Sequence, residues 1–172
     1  MEAWLNEDRA KAGKIPPRYW NATFELSRKT PAVERVREWA ANEAPKGRAL
    51  ILCGPPRSGK THAACCFVRH WEGKLFEWPR RCGEILDPTW DTLEFLKSTP
   101  FLAMDELGGE YVKPGGMIES QLEAILCARY NDLLATLITT NLAPSAMRDF
   151  FSDRVWARLE SWADCCALGA IE

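Results

Sequence analysis

An open, mainly parallel α/β sheet with helices on both faces is the fold predicted for this chain, on three observations. Short apolar runs of strand length alternate with stretches of helical spacing along the sequence. The runs lack polar alternation, as strands buried on both faces do. The first run leads straight into a glycine loop and then a helix, an order that builds phosphate sites.

Taken in order, the first 14 residues are polar and expected to be loosely held, with one folded domain spanning 15–172. "IPPRYW" is an extended segment stiffened by Pro16 and Pro17. A helix is signalled from Thr30, which can cap it. Pro31 suits its first turn, Val33, Val36 and Trp39 or Ala40 form its apolar stripe, and Pro45 with Gly47 ends it. "RALILCG" (48–54) reads as the first strand and "KTHAACCFVRHW" as the helix after the loop. "LFEWPRR" (75–81) is the next strand candidate, and "TWDTLEFLKS" a helix stopped by Pro100. "FLAMDE" (101–106) and "ATLITTN" (135–141) are buried strands. Between them Ile118, Leu122, Ile125, Leu126 and Leu133 keep helical spacing from 118 to 134. "SDRVWARLE" (152–160) is a short helix and "CCALGAI" the fifth strand.

A net charge of −2 argues against wholesale wrapping of nucleic acid but leaves room for a local basic patch. The 7 Cys are odd in number and form no C-x-x-C pair; with only 2 His, zinc has little to build on. Most sit inside apolar runs, where free Cys behaves as a small buried hydrophobe, and they read as reduced and structural. No apolar stretch has signal-peptide or membrane-span length, so a soluble cytoplasmic chain is expected.

The loop "GPPRSGKT", Gly54 to Thr61, satisfies the P-loop pattern. Gly54 and Gly59 let the backbone curl so that amide N–H groups meet phosphate oxygens, and Pro55, Pro56, Arg57 and Ser58 complete the cradle. Lys60 offers an ammonium to the β- and γ-phosphates and Thr61 a hydroxyl to Mg²⁺. Arg57 stands where a third glycine would ease the turn. If that position needs positive φ, the cost is about 1–2 kcal/mol, small beside many phosphate hydrogen bonds. "FLAMDELGG" places Asp105 at a strand end, where it can hold Mg²⁺ or its water, and Glu106 where it can polarise a water. In "LITTN", Thr140 or Asn141 is expected to face the site, with Asn141 able to orient the attacking water. Arg154 and Arg158 lie one helical turn apart, either solvated or reaching a neighbour's γ-phosphate.

In this order, these four elements resemble the AAA+ ATPases, and more narrowly the DnaC/IstB-type family of helicase loaders and transposition ATPases. The closer likeness lies in "IPPRYWNATFE", "GPPRSGKTH", "LAMDELG", "RYNDLLATLITTN" and "SDRVWARLE", nearly the whole chain from Ile15. The resemblance implies an AAA+ P-loop NTPase fold with a five-stranded sheet. It implies an ATPase using ATP and Mg²⁺ that assembles side by side on DNA, with nucleotide at subunit junctions and a replicative helicase or transposase as partner. By position, Lys60 and Thr61 bind phosphate and Mg²⁺, Asp105 and Glu106 form the second motif, and Asn141 is the first sensor. Arg158 matches the finger acting on a neighbouring subunit, with Arg154 as second claimant. His62 matches a common family residue for which no chemical task is evident. Members of the family carry an N-terminal partner-binding extension and a helical lid. Here about 14 polar residues precede the module and the sequence stops at Glu172, so neither is expected.

"WPRR", with Lys74 nearby, suggests single-stranded DNA contact through Trp78, Arg80 and Arg81, base stacking on Trp78 being worth about 1–3 kcal/mol. Two other functions fit a P-loop. One is an ATP-dependent interaction module that hydrolyses little. The other is a small-molecule kinase, for which the Gly-rich "GGEYVKPGGM" would have to serve as lid although it holds only Lys113.

Overall fold

The computed structural model describes residues 8–87, 91–108 and 116–169. Its strands are β1 (Ala49–Cys53), β2 (Lys74–Glu77), β3 (Phe101–Asp105), β4 (Ala135–Thr140) and β5 (Ala163–Ala167). They form one sheet in the order β2-β3-β4-β1-β5, every pair parallel. The interior position of β1, between β4 and β5, explains its unbroken apolar run: all five residues are buried. The same order sets the carboxyl ends of β3, β4 and β1 side by side, where open α/β sheets hold ligands.

Helices cover both faces. Leu50 and Leu52 of β1 pack with Val33, Val36 and Trp39 of α1 (Pro31–Asn42) and with Ala63 and Phe67 of α2 (Lys60–His70). On the other face Ile51, Met104 and Ile138 meet Leu122 and Ile125 of the long helix Met117–Asn131. Val155, Leu159 and Trp162 of Asp153–Trp162 share that core. Burying each such side chain contributes about 1.5–3 kcal/mol. Thr30 caps α1 as its sequence signals, its Oγ1 accepting from the Val33 N–H at 3.3 Å.

Several elements differ from expectation. Of 75–81 only 75–77 is strand, β2 starting one residue earlier at Lys74; Trp78–Arg81 turns into a short helix, α3. Pro79 cannot donate to a sheet ladder but fits a helix's first turn. The helix expected over 89–98 is α4 (Thr92–Ser98), residues 88–90 lying outside the described set. Met117–Asn131, α5, stops short of Leu133, which has φ 51 and is exposed rather than part of the apolar stripe. Residues 142–151, to which no element was assigned, hold a further helix after β4, α6 (Pro144–Phe150). Asp153–Trp162 is α7, and β5 follows it at once, two residues earlier than expected, registered from Ala49↔Ala163 to Cys53↔Ala167. In the polar opening segment, residues 8–12 are helical and Ala10 is buried. The Leu75 N–H donates to Gly13 O at 2.9 Å and Lys74 Nζ to Ala12 O at 2.7 Å, tying this segment to β2. Among the described residues no helix is long and apolar enough to cross a membrane.

Candidate nucleotide-binding site

Between β1 and α2 the chain must reverse within Gly54–Gly59. Gly54 has φ 151, and a Cβ there would stand 2.4 Å from Leu168 O, so a side chain is excluded. Gly59, at φ 84, forms the N-cap of α2. Arg57 has φ 66, so the strain expected of a non-glycine residue is present, in a loop whose curl requires it. Lys60 is buried and folds back on its own loop. Its Nζ donates to Gly54 O and Pro55 O, both at 2.8 Å, and to Ser58 Oγ at 3.1 Å. Burial lowers its pKa, and the carboxylates of Asp105 and Glu106 oppose that. A phosphate would replace neutral acceptors with a charged one, a gain of strength for each bond.

Beside the loop, Asp105 is 4% exposed at the end of β3. The Thr61 hydroxyl lies 3.1 and 3.0 Å from its two carboxylate oxygens, and the Thr139 hydroxyl donates to Oδ1 at 2.6 Å. Burial raises the Asp105 pKa, partly offset by these two donors. Thr139 Oγ1 also accepts from the Glu106 N–H at 2.9 Å, and the Leu107 N–H bonds Thr139 O at 2.9 Å. These contacts hold Glu106 at φ 59, a conformation that costs an ordinary residue about 1–3 kcal/mol. Thr139 is thus the buttress of both acids, a role the sequence reading did not assign. Counting by twos from Leu137, which packs toward α2, puts Thr139 on the site's face; Thr140 instead turns its hydroxyl to Leu107 O at 2.6 Å.

A cleft of about 480 Å³ opens over these groups, within the roughly 300–1,000 Å³ of small-molecule sites. It brings together Pro56, Arg57, Ser58, Gly59, Lys60, Thr61, His62, Glu106 and Asn141, all residues singled out from the sequence; Gly54 and Pro55 contribute their carbonyls to Lys60. Arg18 and Tyr19 line it too, from the 3₁₀ turn Pro17–Tyr19. Their only advance signal was an Arg-Tyr pair following the two prolines. The Arg18 guanidinium stands 5.0 Å from the Tyr19 ring centre, and that ring meets His62 edge-on at 6.1 Å. His62 Nε2 lies 2.7 Å from Ser27 Oγ, and burial lowers its pKa, favouring the neutral imidazole. The donor set fits a nucleoside triphosphate with a hard divalent ion: a buried ammonium and a hydroxyl against a carboxylate, with the Tyr19 ring in the cleft wall.

Other candidates lie elsewhere. Arg158 does not line this cleft; its Nη1 donates to Arg154 O at 2.9 Å, its guanidinium stands 5.7 Å from the Tyr130 ring centre, and its Nε has no hydrogen-bond partner among the described residues. Arg154 is exposed on α7. The expected DNA patch does not assemble. Trp78 is fully buried, 5.9 Å from the Phe76 ring, and cannot stack a base. Arg81 is held by Glu84 through two hydrogen bonds of 2.8 and 2.7 Å, leaving Arg80, 80% exposed, as the accessible member. Of "GGEYVKPGGM", residues 109–115 lie outside the described set.

No protein-family model matches the chain, and no curated protein matches it in sequence. Among solved structures it superposes on the crystal structure of the DnaC helicase loader with TM-score 0.69 and 26% identity, over 89% of this chain and 99% of that one. The chain has a DnaC-like AAA+ fold. DnaI shares that AAA+ fold, with TM-score 0.72 at 18% identity, over 90% of this chain and 94% of that one. AMPPCP-bound DnaA from Aquifex aeolicus shares it at TM-score 0.68 and 17% identity, over 89% of this chain, which spans 50% of that one. The strand order and the loop after β1 are the parts of the AAA+ fold that build the cleft.

Proposed function

We propose that the chain binds ATP with Mg²⁺ in this cleft and hydrolyses it at a junction shared by two copies, as an AAA+ module working on DNA. The observation that carries the reading is the relay Thr61–Asp105–Thr139–Glu106 beside a buried Lys60. Lys60 neutralises phosphate charge, and Thr61 with Asp105 would hold Mg²⁺, which supplies charge neutralisation on the β- and γ-oxygens when bound. Glu106 accepts the proton of the attacking water, and Asn141 orients that water toward the γ-phosphorus. Arg18 and Tyr19 face the nucleoside. Arg158, away from its own cleft and with an Nε unpaired among the described residues, serves the cleft of the adjacent copy, where such a group is worth about 10³–10⁵ in rate.

The likeness to a helicase loader supports a replicative helicase as partner, with a transposase as the other family possibility and single-stranded DNA as effector. Titration calorimetry with a non-hydrolysable ATP analogue and Mg²⁺, alongside phosphate-release assays with single-stranded DNA, tests the reading. Glu106→Gln should keep nucleotide affinity and lose turnover by about 10²–10⁴. Absence of nucleotide binding by the wild-type chain overturns the proposal. Tight binding without turnover, DNA and helicase included, reassigns it as an ATP-dependent interaction module.

A further inference from the structure

Two thiols meet across the seam between β1 and β5. Cys53 Sγ and Cys165 Sγ lie 3.7 Å apart. Cys53 is buried and is the last residue of β1, directly before Gly54; Cys165 is exposed. We propose that Cys53 and Cys165 form a modification site, a thiol pair that a peroxide converts reversibly into a disulfide clamping β5 to the strand that feeds the phosphate loop.

The geometry sets both the reactivity and the consequence. Cys53 pairs with Ala167 and Cys165 with Ile51, so the thiols are two residues out of register on one face of the sheet. A disulfide needs sulfurs about 2.05 Å apart, so side-chain rotation and a small slide of β5 must close the remaining gap. As an edge strand, β5 can yield in this way. Bridges made under such strain are the readily reduced ones. The chemistry divides between the two sulfurs. Cys165, as thiolate, attacks a peroxide oxygen; the S–O bond forms, the O–O bond breaks and hydroxide leaves, giving the sulfenic acid. Cys53 Sγ then attacks that sulfur; the S–S bond forms, the S–O bond breaks, and the leaving hydroxide departs as water with the Cys53 proton. Two thiols and one peroxide become one disulfide and two waters. Burial, then the neighbouring Cys165, pushes the Cys53 pKa up to about 12, which leaves the exposed thiol as the first to react.

The clamp reaches the loop by a short route. The Leu168 N–H, one residue beyond β5, donates to Cys53 O at 2.7 Å, and Leu168 O crowds Gly54. Sliding β5 along β1 therefore shifts Leu168 against the first residue of the phosphate cradle, and the bridged protein should bind an ATP analogue several-fold more weakly. This consequence rests on the nucleotide reading above, whereas the bridge itself is read without nucleotide.

The test is hydrogen peroxide treatment of the folded chain, quenching, and peptide mapping by mass spectrometry. The expected product is a peptide pair joined through Cys53 and Cys165, released by dithiothreitol, lost in Cys165→Ser and kept in Cys166→Ser. A vicinal Cys165–Cys166 bridge, a bridge between two copies through Cys165, or sulfinic acid at Cys165 without a bridge overturns the site. Calorimetry on bridged and reduced protein then reads the coupling, and equal affinities overturn that part.

Discussion

Replacing Thr139 with valine removes one hydroxyl and keeps the side chain's shape, so it isolates the buttress under the two acids. Two bonds are lost: the 2.6 Å donation to Asp105 Oδ1 and the 2.9 Å acceptance from the Glu106 N–H. A hydrogen bond to a charged group contributes about 1.5–3 kcal/mol, and an N–H left without its partner costs about 1–3 kcal/mol. The added methyl recovers about 0.8 kcal/mol at most. Thr139→Val should therefore destabilise the chain by roughly 2–5 kcal/mol, a fall in Tm on the order of 10 °C for a domain of this size. Burial already raises the Asp105 pKa, and the lost donor raises it further. Asp105 must be ionised to hold the metal, so the acid limb of turnover should move to higher pH, while nucleotide affinity through Lys60 persists. Thr139→Ser, which keeps the hydroxyl, should restore the limb. Urea unfolding within about 0.5 kcal/mol of wild type, together with an unshifted acid limb, would refute the reasoning.

Asp105→Asn should abolish Mg²⁺-dependent turnover yet raise the Tm of the nucleotide-free chain at neutral pH. The sign follows from the raised pKa: the folded state disfavours the ionised carboxyl, so this residue's stability contribution is present below its unfolded pKa and lost as pH rises through the folded value. Thermal scans should show the gain vanishing in acid. Gly54→Ala meets Leu168 O at 2.4 Å and an unfavourable φ, a cost of about 2–5 kcal/mol visible in chemical denaturation, with nucleotide affinity reduced alongside. Arg129 is fully buried, with burial pulling its pKa down to about 9, and donates to Thr136 Oγ1, Leu96 O, Thr99 O and Ala135 O at 2.7–2.8 Å. Arg129→Met leaves these acceptors unpaired and should cost about 3–5 kcal/mol in urea unfolding, with nucleotide affinity of the folded protein unchanged.

What could be read from the sequence is what lies contiguously along it. Strand β1, its loop and α2 follow one another, so Lys60 and Thr61 could be placed by pattern, and Asp105 with Glu106 by their position at the end of an apolar run. Asn141 followed from the same logic. Arg18 and Tyr19 reach the cleft only because the Pro17–Tyr19 turn packs near His62, more than 40 residues away, a contact no local pattern encodes. Trp78 misled because an aromatic beside two arginines reads the same whether it faces solvent or, as here, the core around Phe76. Thr139 was within reach, since alternation along β4 separates it from Thr140; expecting the strand's last residues to point at the site obscured it.

The central claim is hydrolysis at a junction that two copies share. Lys60→Ala and Arg158→Ala should each be nearly inactive in ATP turnover alone, the first for want of a bound phosphate, the second for want of a donor to its neighbour. Mixed in equal amounts under conditions where the chain assembles, a wild-type cleft meets a wild-type Arg158 at roughly a quarter of junctions, and turnover should return in that proportion. Full turnover by Arg158→Ala alone, or no recovery on mixing, would contradict the account.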